Sequence, residues 1–158
     1  MRRVVGIGEA AVSADTTDEL ITFALGSCLG ISVFDPVAKV AGLLHVMLPS
    51  SAVNPEKAKK RPHMFVDTGV PLFFRQAYQL GATKERMVVK VAGGASVQGV
   101  VESFRIGAQN FSLLRKLFWK NQVLIQRQDV GGSLPRTMSV HVASGTVTIQ
   151  SRGATKTL

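Results

Sequence analysis

Apolar positions come early and in short bursts along this chain. Residues 4–7, 20–25, 29–34 and 40–48 are rich in Val, Ile, Leu and Phe, and each burst has the length of a strand rather than a helix. Turn-forming residues separate them: Ser13-Ala14-Asp15, Gly26-Ser27 and Asp35-Pro36. Asp35-Pro36 followed by Lys39 predicts a tight turn, so 29–34 and 40–48 are expected to form an antiparallel hairpin. Pairing about a turn centre near position 37 sets residue 29 opposite residue 45.

The period then changes. Val66, Val70, Phe73, Phe74, Ala77 and Leu80 recur at helical spacing, which predicts a helix over 67–80 that Gly81 stops. Pro71 requires this helix either to start near Gly69 or to kink. Asp67 reads as its cap. A second helix is expected over 110–121, with Asn110 as N-cap and Leu113, Leu114, Leu117 and Phe118 as its apolar stripe. Residues 87–91 read as a strand that runs into the turn Gly93-Gly94-Ala95-Ser96. Further strands are expected at 123–126, 139–142 and 146–150, with Gly131-Gly132 and Ser144-Gly145 as turns. The result is a mixed, strand-rich α/β chain, a layered β-sheet core flanked by two main helices, without regular βα alternation. Nothing divides it, and 1–158 reads as a single domain.

Composition narrows the function. No apolar run reaches the roughly 18–20 residues of a membrane helix, and Glu9 interrupts the apolar start before it could serve as a signal peptide. The chain is therefore expected to be cytoplasmic, without membrane insertion. Its formal charge of +9 favours acidic partners. The densest basic cluster, Lys57, Lys59, Lys60 and Arg61, lies between Pro55 and Pro62 and reads as a loop. One Trp, one Tyr and no basic helical stripe argue against nucleic acid. A single Cys excludes an internal disulfide and Cys-rich metal sites, and three scattered His suggest no metal centre.

That cysteine, Cys28, is either a small core residue or a nucleophile. It stands at a glycine-containing corner, Gly26-Ser27-Cys28, where turn amides can face a developing oxyanion. His45 is the one polar side chain in the otherwise apolar run 40–48, so it must find a buried partner. The hairpin brings Cys28 within a residue of His45's cross-strand partner, which is thiol–imidazole reach. His63 reads as solvated, and His141 as an outward-facing strand residue. Gly93, Gly94 and Ser96 follow a strand but lack the lysine of a phosphate loop. They read as a tight turn lining a substrate groove.

Several motifs occur in family order: Gly6-Ile7-Gly8-Glu9, Leu25-Gly26-Ser27-Cys28, Asp35-Pro36, His45-Val46-Met47-Leu48-Pro49, Asp67-Thr68, Gly93-Gly94-Ala95-Ser96, Ile106-Gly107-Ala108-Gln109-Asn110, and Gly131-Gly132 with Arg136. In these the chain resembles the CheD family of chemoreceptor glutamine deamidases over about residues 4–150. The resemblance implies a CheD-like cysteine hydrolase fold and a triad of Cys28, His45 and Thr22, with Gly26, Ser27, Gly93, Gly94 and Ser96 around substrate and oxyanion. No cofactor or metal is expected, and the chain is expected to be a monomer. The implied partners are the cytoplasmic helices of chemoreceptors as substrate and a CheC-type phosphatase. Methylesterase activity on the same receptors is also implied. Gln109 stands where the family usually carries a base, Pro135 precedes Arg136, and Pro71 interrupts a helix.

Overall fold

A computed structural model describes residues 1–96 and 101–158, the side chains of 101–104 excepted. Its elements in chain order are β1 (Arg2–Val4), β2 (Glu9–Ser13), β3 (Glu19–Leu25), β4 (Leu29–Asp35), β5 (Val40–Val46), α1 (Pro55–Lys60), α2 (Val66–Gln79), β6 (Val88–Gly93), α3 (Val101–Lys120), β7 (Ile125–Val130), β8 (Arg136–His141), β9 (Val147–Ser151) and β10 (Ala154–Thr157). Short 3-10 turns at Ser51–Val53, Pro62–Met64 and Lys84–Arg86 complete the connections.

The described strands form two five-stranded sheets, ordered β1-β3-β8-β9-β10 and β2-β5-β4-β6-β7. The inner faces of the two sheets meet over Leu20, Leu25, Phe34, Leu43, Met138, Val140 and Ile149. The other face of the second sheet carries Leu29, Ile31, Val33, Leu44 and Val91 against α2 and α3. This is a helix–sheet–sheet stack, the mixed α/β architecture expected. Strands β4 and β5 are buried along their whole length because one face meets helices and the other meets a sheet. That is why both read as unbroken apolar runs. Each fully buried Leu, Ile or Phe contributes roughly 1.5–3 kcal/mol.

The hairpin forms as expected, but its register is displaced by one. Leu29 pairs with Val46 and Gly30 with His45, with Asp35↔Val40 as the closing pair. Lys39 takes a left-handed φ of 54° and the Asp35 carboxylate accepts from the Val37 and Ala38 amides at 2.9 and 3.0 Å. Four residues thus lie in the turn, and its centre falls half a residue beyond position 37.

Other expectations are corrected. Helix α2 runs through Pro71 from Val66, with Phe65 as N-cap. Asp67 does not cap it: its carboxylate accepts from the Ser51 amide and hydroxyl at 2.9 and 2.8 Å, tying down the segment after β5. The basic cluster is not a loop but α1, capped by Asn54, whose side chain accepts from the Lys57 amide at 3.1 Å. Helix α3 begins at Val101, so Asn110 is not an N-cap but lies inside the helix, fully buried. His63 is not merely solvated: its Nε2 meets Gln76 Oε1 at 3.0 Å. His141 does face outward, 3.0 Å from Glu19. No helix among the described residues is long and apolar enough to cross a membrane.

Candidate active site

The chain changes sheets between β3 and β4, and Cys28 sits at that crossing. Strand β3 belongs to the first sheet and pairs with β8 until a register shift between Thr22 and Leu25. Ala24 there holds a left-handed φ of 58°. The distortion turns the backbone through Gly26 and Ser27 into β4 of the second sheet. Cys28 is half-buried and packs against the apolar layer between the sheets. His45 projects into the same layer from β5, with none of its surface exposed. Because Gly30 is its cross-strand partner, Cys28 lies two residues from that partner, on the diagonal rather than directly opposite.

Thr22 reaches the imidazole from the facing sheet. Its Oγ1 lies 2.7 Å from His45 Nδ1 and donates to the Val5 carbonyl at 2.6 Å. A hydroxyl has one hydrogen, and Val5 takes it, so Thr22 accepts from Nδ1–H. That fixes the tautomer and leaves Nε2 bare. Nε2 is buried and has no hydrogen-bond partner among the described residues, the Cys28 sulfur included. Burial pushes the Cys28 thiol up to about 11, opposed by its own backbone amide, and burial pushes His45 down to about 4. Both groups are therefore neutral at pH 7.

The glycine turns frame this corner by backbone contacts. The Gly94 amide donates to the Cys28 carbonyl and the Ala95 amide to the Gly26 carbonyl, both at 2.8 Å. Gly93 has φ 108°, and a Cβ there would collide with the Cys28 carbonyl oxygen, so only glycine lets β6 pass so close. The Ser96 amide donates to Gly132 at 2.9 Å and the Gly131 amide to Gly93 at 2.9 Å. Arg136, nearly buried, holds these turns through the Gly131 and Gly93 carbonyls at 2.7 and 3.3 Å, with Asp129 as its ion-pair partner at 3.1 Å. Gly26, Ser27, Gly93, Gly94 and Ser96 thus all lie at or beside the Cys28 corner. Gly94 and Ser96 line a groove that continues along α3.

Asn110 is the residue the sequence reading misassigned. Its Nδ2 donates to the Ser27 carbonyl at 3.0 Å and to the Met47 carbonyl at 3.1 Å. One side chain therefore joins the residue before Cys28 to the strand end two residues past His45. The helical period of α3 could have flagged it, since Asn110 precedes Leu114 and Leu117 on one face. Among the described residues no three His, Cys, Asp or Glu converge as metal ligands.

The family model described as CheD chemotactic sensory transduction matches residues 47–151. A Syntrophus aciditrophicus protein named "Probable chemoreceptor glutamine deamidase CheD 1" is 48% identical over 150 residues, 95% of this chain and 94% of that one. An Anaeromyxobacter dehalogenans protein named "Probable chemoreceptor glutamine deamidase CheD 2" is 42% identical, covering 93% and 92% of the two chains. The Thermotoga maritima protein named "Chemoreceptor glutamine deamidase CheD" is 33% identical over 97% of this chain and 94% of its own. With nearly full-length matches at these identities, the chain belongs to the CheD family.

Proposed function

We propose that this protein hydrolyses glutamine side-chain amides on chemoreceptor cytoplasmic helices to glutamate, through a Cys28 thioester. The observation that carries the reading is the oriented imidazole: Thr22 holds Nδ1–H, and the bare Nε2 shares the inter-sheet layer with the Cys28 side chain. The names of its relatives supply the substrate class.

The resting pair is neutral, so the thiol is not pre-ionised. Proton transfer from Sγ to Nε2 accompanies attack of sulfur on the carboxamide carbon, and substrate entry draws the half-buried thiol onto the base. The Gly26 amide is engaged by the Ala24 carbonyl, so the Ser27 and Cys28 amides of the turn stabilise the tetrahedral oxyanion. The imidazolium then hands its proton to the leaving nitrogen, which departs as ammonia. Water attacks the thioester with Nε2 as base, the acid forms, and the thiol is restored. Thr22 stabilises imidazolium as a neutral acceptor and so less than a carboxylate would, which predicts modest turnover.

The test is incubation of a purified receptor cytoplasmic domain with wild type and with Cys28→Ala. Wild type is expected to convert specific glutamines to glutamate, read as an amide-to-acid mass change in peptides, and Cys28→Ala to convert none. Conversion by the Ala variant would remove Cys28 as nucleophile.

A further inference from the structure

We propose that the groove between α3 and β7 is the docking track for the substrate's own helix, an amphipathic helix with an acidic flank. The proposal rests on the deamidase reading for the identity of the substrate. The groove itself argues for the shape and charge of its occupant.

The groove has a volume of about 1230 Å³ and begins at the site, where Gly94, Ser96, Gly131 and Gly132 line one end. The Gly94 amide is bonded to the Cys28 carbonyl, so this end touches the nucleophile's turn. From there the groove follows α3 from Gly107 to Lys120, roughly 20 Å at the helical rise, or three to four turns of a second helix. At the far end stand Trp119 and Leu124, 83% and 72% exposed. Trp119 is more exposed than any other large hydrophobic among the described residues. A tryptophan left in water beside a groove is the residue type that most often anchors a protein interface.

The charges along the groove are mainly positive. Arg115, Lys116 and Lys120 line it, and the single acid, Asp67, is occupied by Ser51. Arg115 is held with its guanidinium 5.8 Å from the Phe111 ring centroid, placing a cation over the apolar floor. Ser112, Arg115, Lys116 and Trp119 share one face of α3, with Ser112/Arg115 and Lys116/Trp119 three apart and Ser112/Lys116 and Arg115/Trp119 four apart. Such a ridge packs against another helix more readily than against an extended segment. An occupant with apolar residues toward Trp119 and Leu124 and acids toward the three cations satisfies both features. With its glutamine at the Gly94 end, its acids fall roughly eight to thirteen residues along.

Trp119 is the only tryptophan in the chain, so its emission reports occupancy without requiring turnover. The experiment titrates the helical cytoplasmic domain of a receptor into Cys28→Ala and follows Trp119 fluorescence at low and high salt. A blue shift that weakens with salt is expected, and none from a DNA duplex at equal concentration. In parallel, kcat and KM for glutamine conversion are measured in the Cys28 protein carrying Lys116→Glu with Lys120→Glu, or Leu124→Ser with Trp119→Ala. On the receptor domain, kcat/KM is expected to fall about tenfold or more through KM. The alkylation rate of Cys28 and turnover of a short glutamine peptide should be unchanged. Reversing acids to lysines on the substrate helix should restore the Lys→Glu variant. An unshifted Trp119, an equal shift with DNA, or equal losses on domain and short peptide would overturn the proposal. A salt-sensitive shift without glutamate formation by wild type would instead sink the deamidase reading and keep the groove.

Discussion

Replacing Asn110 with Asp tests the internal scaffold of the site. The two side chains have nearly the same shape, so packing is preserved. What changes is that two N–H donors, 3.0 and 3.1 Å from the Ser27 and Met47 carbonyls, become a carboxylate oxygen facing carbonyl oxygens. Two hydrogen bonds of about 1 kcal/mol each are lost, and the acceptors left facing an acceptor add a similar amount. The total is on the order of 2–4 kcal/mol, a fall in Tm of roughly 5–15 °C for a chain of this size. Asn110→Ala, which removes the donors without adding charge, should fall between wild type and Asp. Because the two carbonyls flank Cys28 and His45, the variant should also change the pH profile of Cys28 alkylation by iodoacetamide and lower kcat more than KM. Thermal unfolding supplies the first number and quenched alkylation the second. An Asp variant with an unchanged midpoint and an unchanged alkylation profile would refute the clamp.

Three further outcomes follow from the same geometry. His45 is held well below its ordinary pKa, at about 4, so the unfolded chain takes up a proton near pH 6.5 that the folded chain refuses. Its contribution is full above about pH 6.5 and is lost as pH falls toward 4, on the order of 3 kcal/mol; denaturant titrations at pH 8 and pH 4.5 measure it, and His45→Asn should flatten the difference. Thr22→Val removes the acceptor of Nδ1–H while keeping volume, and should lower kcat by roughly ten- to a hundredfold with little change in KM; a full-rate valine variant would end the orienting role of Thr22. Gly93→Ala forces a Cβ onto the Cys28 carbonyl at a φ of 108°, costing roughly 3 kcal/mol or more in unfolding experiments, and a wild-type midpoint would contradict the close approach of β6.

How much was legible in the sequence varies by element. The runs that became β4 and β5 announced themselves because burial on both faces demands continuous apolar residues. Strand β2, Glu9–Ser13, went unread: it is an edge strand paired only with β5, and its partly buried pattern lacks clean alternation. Strand β10 is wholly exposed and had no apolar signal to give. Helix α1 was hidden because its basic side chains point to water and only Ala58 is buried.

By itself the sequence determined the chemistry available: one thiol at a glycine corner, one imidazole in an apolar strand, and a turn that makes them neighbours. Local chain stiffness and hydrophobic periodicity act over a few residues, so they could set this much. Only the tertiary structure decided that Thr22 meets the imidazole, because the two stand on different sheets and touch only when those sheets stack. It likewise decided that Asn110, 82 residues after Cys28, ties the corner together. Contacts across layers depend on how separate faces pack, and no periodicity along the chain encodes that.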